Sequence, residues 1–256
     1  LDGNYPDGSR NIAFGLTALD SLDGSSPGGD NIALGNAALT ALTTGDFNIA
    51  IGSFAGDALT TGASNVAIGH EALSTEDGHG SNTAIGYRAL KTLNAGAAGN
   101  NTAIGVDAGL SLTTGTGHTL VGGNAGDALT TGNDNVAIGK DALSSDTQGS
   151  GSVAIGIVAL QDQNFTSATN AYNTAIGRSA GRDVTTGVQN TLIGALSGDA
   201  ITTADNNTAV GYSALGASTT GDSNVAVGAL ALDEVTTGQR NVAVGTQALS
   251  TETQGR

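Results

Sequence analysis

The sequence predicts an all-β protein, a parallel β-solenoid (β-roll) of about fourteen coils, and three observations predict it. A five-residue motif, Asn-x-Ala-Ile-Gly or a close variant, occurs fourteen times, beginning at residues 11, 31, 48, 65, 82, 101, 118, 135, 152, 173, 190, 207, 224 and 241. Ten of the thirteen spacings are 17 residues and the others are 20, 19 and 21. The second residue of every copy is β-branched and the fourth is apolar, the period-2 signature of a strand. A short fixed period marks a solenoid, in which each unit is one coil that cannot bury its own apolar face. Residues 11–256 are therefore expected to form a single elongated repeat domain, with 1–10 as a polar lead-in or degenerate coil.

Residues 48–64, NIAIGSFAGDALTTGAS, display the roles within a unit. Asn opens twelve copies, as Asn11, Asn31, Asn48, Asn65, Asn82, Asn101, Asn135, Asn173, Asn190, Asn207, Asn224 and Asn241, with His118 and Ser152 in the other two. Amides stacked at a solenoid corner hydrogen-bond up the stack as an Asn ladder. A ladder satisfies them, which disfavours a row of ligand-binding amides. The second and fourth residues share one strand face. They are assigned to the coil core, as Ile49, Ile51, Val66, Ile68, Ile85, Ile104, Val136, Ile138, Ile155 and Ile176. The third residue, Ala in twelve copies and Leu at Leu120 and Leu192, points the other way and predicts a second covered face. Gly fills the fifth place throughout. Gly52, Gly69, Gly86, Gly105, Gly139, Gly156, Gly177, Gly211 and Gly228 are read as corner glycines, where a positive φ or a close approach excludes a Cβ.

The back half reads as a second short strand or bent segment closed by a Gly turn. Its eighth residue is Ala in thirteen copies, its ninth is Leu in nine and Gly in five, and Thr-Thr-Gly follows the twelfth in seven. The three-residue step from Leu19 to Leu22 breaks strict alternation, so the inward set of this half stays open. Both copies with Leu in the third place have Gly in the ninth, Gly126 and Gly198. Interiors fill to near-constant density, so the two places are expected to share one packed space. The long spacings fall after Leu22, Leu93 and Gln163, where polar or Gly-rich inserts can bulge from a corner.

Composition narrows the partners. Gly is abundant at 41 residues, but two prolines and no Gly-X-Y period exclude collagen. A net charge of −15 with eight scattered Lys and Arg argues against nucleic acid and anionic membrane surfaces. No apolar run approaches the ~20 residues of a membrane span, so no membrane insertion is expected. There is no Cys and hence no disulfide framework or thiolate site. The chain lacks Met and starts at Leu1, as an excerpt or processed product would. A coil of 17 residues is thin and marginal alone, so its Ala and Leu rows call for a cover, most simply copies of itself.

Residues 65–69, 135–139 and 224–228 resemble the head repeat of trimeric autotransporter adhesins, which reads close to Asn-Ser-Val-Ala-Ile-Gly. Residues 82–86 and 101–105, with the Thr-Thr-Gly turns, resemble arrays in the fibre proteins of tailed phages. The likeness covers residues 11–256, although the 17-residue period is longer than the adhesin repeat. The resemblance implies a left-handed homotrimeric β-roll, extracellular, on a cell surface or on a virion, that attaches to a host receptor or matrix. A non-trimeric filament of coils stacked end to end is the alternative.

No enzyme or cofactor is expected. The three histidines, His70, His79 and His118, fall at different places in the repeat, without metal-site spacing. A glycosidase needs two carboxylates beside a groove of sugar-stacking aromatics, and the eight Phe and Tyr are dispersed. The Asp-rich turns lack the calcium-binding Gly-Gly-x-Gly-x-Asp repeat, and there is no P-loop or nucleophile elbow. Ice binding by Thr rows is disfavoured because Thr60 and Thr61 point to opposite faces and Thr in the second place is assigned inward.

Overall fold

The computed structural model describes residues 10–22, 28–96 and 98–251. The lead-in up to residue 9 and residues 23–27 of the first insert lie outside that set. Among the described residues there is no helix, and each repeat supplies one three-residue parallel strand, fourteen in all, as a β-solenoid requires. The chain divides into two compact units, Leu1–Thr131 and Gly132–Arg256. The first holds β1 (Ile12–Phe14), β2 (Ile32–Leu34), β3 (Ile49–Ile51), β4 (Val66–Ile68), β5 (Thr83–Ile85), β6 (Thr102–Ile104) and β7 (Thr119–Val121). The second holds β8 (Val136–Ile138), β9 (Gly149–Ser150), β10 (Val153–Ile155), β11 (Thr169–Asn170), β12 (Thr174–Ile176), β13 (Thr191–Ile193), β14 (Thr208–Val210), β15 (Val225–Val227) and β16 (Val242–Val244). Within each unit the repeat strands pair in sequence order and in register, as Ala33 with Ala50 and Ile32 with Ile49. The insert of the second unit adds a small pair, β9 with β11.

In-register stacking turns each place in the repeat into a column. The strands begin after the Asn column and end at the Gly column, which is why they are three residues long. At Gly52 φ is 136°, and a Cβ there would lie 2.5 Å from the Gly69 carbonyl oxygen of the next coil. The backbones touch at this corner, so no side chain fits.

The phase of the strands is opposite to the one read from the sequence. The middle residue is buried and its two neighbours face outward: Ala50 is 0% exposed and Ile51 37%. Ile49, Val66, Ile68, Ile85, Val136, Ile138 and Ile155 are partly exposed, and Ile104 and Ile176 are exposed, so none of these ten residues forms the coil core. The interior is lined instead by the third and eighth residues, both Ala, and by Leu in the ninth and twelfth, as Ala50, Ala55 and Leu59 in one coil and Ala38, Leu39 and Leu42 in another. The coil is too narrow for large side chains from both walls. The back half contributes the leucines and the strand contributes a methyl group.

The back half is a string of turns and not a second strand. Its seventh and ninth residues have positive φ, as at Phe54 (59°) and Leu39 (50°). A tight turn joins the ninth to the twelfth, with Leu42 N donating to Leu39 O at 3.2 Å. Both residues therefore point inward, which accounts for the three-residue step from Leu19 to Leu22.

The Leu–Gly trade is a packing contact. A Cβ on Gly126 would meet Leu120 Cδ2 at 2.9 Å, and one on Gly109, in the preceding coil, would meet Leu120 Cδ1 at 2.8 Å. Leu192 sits in the same way between Gly181 and Gly198. The large third residue spreads over the ninth place of two coils, so both must be Gly.

Two outcomes follow from this packing. Leu120→Ala should lower the unfolding free energy by about 2–5 kcal/mol, and adding Gly126→Leu, which restores the common Ala–Leu pairing in that coil, should recover part of the loss in denaturant melts. Gly105→Ala should be worse than an ordinary surface change, because φ is +142° and the Cβ would lie 2.4 Å from Gly122 O; the strained φ alone costs about 1–3 kcal/mol.

Candidate assembly face

Because the strand phase is reversed, the second and fourth residues of every coil form the outer face of the sheet. In the first unit the second place reads Ile, Ile, Ile, Val, Thr, Thr, Thr from β1 to β7, and the fourth reads Phe, Leu, Ile, Ile, Ile, Ile, Val. No charged residue occurs in either column in either unit. Ile104 is 39% exposed. Beside the Gly corner, the sixth residue extends the apolar surface in some coils, with Val106 at 54% and Tyr212 at 56% exposed. Seven strands at ~4.8 Å, carrying two columns ~7 Å apart, give each unit a strip of roughly 300 Å². That is the size of the largest apolar patches on ordinary monomers.

The other sequence-assigned residues are structural. The Asn column is buried and laddered: Asn48 Nδ2 donates to Asn31 Oδ1 at 3.1 Å and to Gly62 O at 2.8 Å, and Asn31 Oδ1 also accepts from Asn48 N at 2.8 Å. Where Ser152 interrupts the column, the buried Gln163 bridges the gap. Its Nε2 donates to Ser152 Oγ at 3.1 Å and its Oε1 accepts from Asn173 Nδ2 at 2.8 Å. The first Thr of Thr-Thr-Gly has a similar role, with Thr43 Oγ1 donating to Thr60 O at 3.0 Å and Thr185 Oγ1 to Thr202 O at 3.0 Å.

Two further clusters are present, one made by stacking between coils and one within a single turn. Phe54, His70 and Tyr87 form a column with centroids 6.0 and 5.7 Å apart, and the Arg88 guanidinium lies 4.8 Å from the Tyr87 centroid. Arg88 is in turn held by Asp107 in a two-pronged pair of 2.8 and 2.9 Å. Phe54 meets His70 edge-on, at 77° between planes, while His70 and Tyr87 are stacked at 21°. Glu76, Asp77 and His79 place donor atoms within 4.8 Å of one another. Glu76, however, is buried with both oxygens accepting backbone N–H groups, from His79 at 3.1 Å and Ala95 at 3.0 Å, so it serves the backbone. An offset of 17 links His70 to Tyr87, whereas Phe54 stands 16 residues before His70, and Glu76, Asp77 and His79 share one turn.

Asp57 and Asp199 hold the tenth place of their coils. Burial pushes the Asp57 carboxyl above its ordinary value, helped by repulsion from Glu71, and Asp57 Oδ1 is buried without a hydrogen-bond partner. Burial likewise raises Asp199, with Arg182 opposing. Comparison with protein-family models, curated proteins and solved structures returned no match.

The sign of the Asp57 and Asp199 shifts sets a pH dependence. A raised carboxyl binds more protons in the folded chain than in the unfolded one, so stability declines as pH rises from the unfolded carboxyl range through the folded value. Asp57→Asn and Asp199→Asn should therefore raise the melting midpoint at pH 7, with the gain vanishing at pH 3.

Proposed function

We propose that this chain is a structural repeat segment of an extracellular or virion fibre, a non-enzymatic solenoid whose sheet faces pack together in a homotrimer. The observation that carries this reading is the uncharged outward surface of Ile, Val and Thr. It repeats with every coil, so a partner that matches it over many coils needs the same period, and a second copy of the chain has it. The likeness of the Asn-x-Ala-Ile-Gly arrays to adhesin heads and phage fibres supports the same reading. In such a fibre the segment supplies length and stiffness, and the inserts 94–100 and 164–172 are the places for contact with a host receptor or matrix.

A second reading gains from one specific observation. Thr in the second place faces outward, in runs of three coils: Thr83, Thr102 and Thr119, then Thr174, Thr191 and Thr208. These threonines face outward and not into the coil as expected from the sequence, and a repeating Thr/Ile surface toward water supports an ice-binding solenoid.

Sedimentation separates the two. The fibre reading expects a discrete trimer, and Ile104→Lys, outward and tolerated by the fold, should convert it to a folded monomer. A chain that stays monomeric at high concentration and shows thermal hysteresis would transfer the face to ice; a monomer without hysteresis removes both readings.

A further inference from the structure

The inserts after Leu93 and Gln163 share a device that the regular coils lack. The twelfth residue of a coil is Leu, Val or Ile in nine copies. In two it is a fully buried carboxylate, Glu76 or Asp146. These two coils are the ones immediately before the coils with inserts at 94–100 and 164–172. Gln163 and Ser218 hold the place in two further coils, and Glu252 lies outside the described residues.

The backbone shows why. In a regular coil the thirteenth and fourteenth N–H groups both donate forward, to the thirteenth carbonyl of the next coil: Thr43 N and Thr44 N to Thr60 O at 2.8 and 3.2 Å, Thr185 N and Thr186 N to Thr202 O at 2.8 and 3.3 Å. In the coils with inserts, the thirteenth keeps that bond, Asn94 N to Thr113 O at 2.8 Å and Asn164 N to Thr185 O at 2.9 Å. The fourteenth has turned round to let the longer loop leave. Ala95 N donates backward to Glu76 Oε2 at 3.0 Å and Phe165 N to Asp146 Oδ1 at 3.0 Å. Each carboxylate also accepts from the fifteenth residue of its own coil, His79 N at 3.1 Å or Gly149 N at 3.0 Å, and Asp146 Oδ2 accepts from Gln163 Nε2 at 2.6 Å. A buried N–H left without an acceptor is costly, and the carboxylate is what the reversed peptide requires.

We propose that Glu76 and Asp146 are acid-releasable pins for the two inserts. Ionised, a carboxylate is acceptor-only and its bonds to N–H groups are about twice as strong as neutral ones. Protonation turns one oxygen into a donor facing N–H groups, and the root of the insert loses its anchor. Regular coils are held there by carbonyl oxygens, which do not titrate. Around Glu76 the titratable groups are His79, whose Nδ1 is 3.1 Å from Oε1, and Asp77 in the same turn; the flanking coils present Leu59 and Leu93 at the same place. The hydrogen-bond partners of Asp146 are two backbone N–H groups and Gln163, none titratable. The proposal concerns how the inserts are held and is independent of what they touch.

Hydrogen exchange of the full chain tests it, read as protection relative to the intrinsic rate at each pH. Between pH 7 and pH 3, protection at Ala95 and Phe165 should fall tenfold or more while Thr44 and Thr186 keep theirs. Glu76→Gln should show the low protection at Ala95 already at pH 7 and lose the pH dependence there, leaving Phe165 as in the wild type; Asp146→Asn should do the converse. Protection at Ala95 and Phe165 that is flat across the range, or that falls together with Thr44 and Thr186, overturns the proposal. Should either variant fail to fold, the wild-type pH series decides by itself.

Discussion

A 17-residue coil encloses a space about one side chain thick, and the rest of the structure follows from what fits there. Large residues cannot come from both walls at the same level. The turn-rich wall supplies Leu in the ninth and twelfth places, and the strand wall supplies Ala. When the strand supplies Leu120 instead, Gly109 and Gly126 on the opposite wall give up their side chains. The same limit expels the β-branched residues on either side of each Ala. An interior this small gives little hydrophobic stabilisation per residue, so the most apolar columns of the repeat end on the outside.

Stability has to come from elsewhere as well, and the repeat finds it in columns of hydrogen bonds. Within each unit the described coils pass N–H groups forward or backward to their neighbours, and the Asn and Thr columns tie the same neighbours through their side chains. Positive φ at the seventh and ninth places lets the back half turn tightly enough to keep these bonds. The Gly column closes the corner by letting carbonyls approach where a Cβ would stand. Exceptions are repaired one coil away: Gln163 spans the gap at Ser152, and Glu76 and Asp146 receive the peptides that the inserts reverse. A solenoid transmits each local change to its neighbour because its contacts are between adjacent coils.

Function in such a molecule is a property of surfaces. No charged side chain enters the outer columns of the sheet, although the chain as a whole carries −15. Among the described residues the charged side chains lie in the corners and turns, with Glu76 and Asp146 buried there. A periodic, uncharged strip suits a partner of the same period, and the acidic remainder discourages unspecific association. The inserts are the places where the repeat is interrupted and where something other than repetition is displayed.

The architecture was legible in the sequence because it depends on spacing alone. The 17-residue period, the invariant Gly and the opening Asn name the solenoid, its corner and its ladder without any knowledge of the third dimension. Alternation also placed the second and fourth residues together on one face, as Ile49 and Ile51 show. Which face that was could not be read, because period 2 has no sign. Apolar character argued inward for Ile51, and the volume left by Leu39 and Leu59 decided for Ala50. The pairing of Leu120 with Gly126 was visible as a covariation within the chain, since volume is a local quantity. Glu76 and Asp146 were not distinguishable from surface acids until stacking set each beside the reversed peptide of the next coil. Order along the chain determined the coil; only the width of its interior decided which residues it keeps and which it presents.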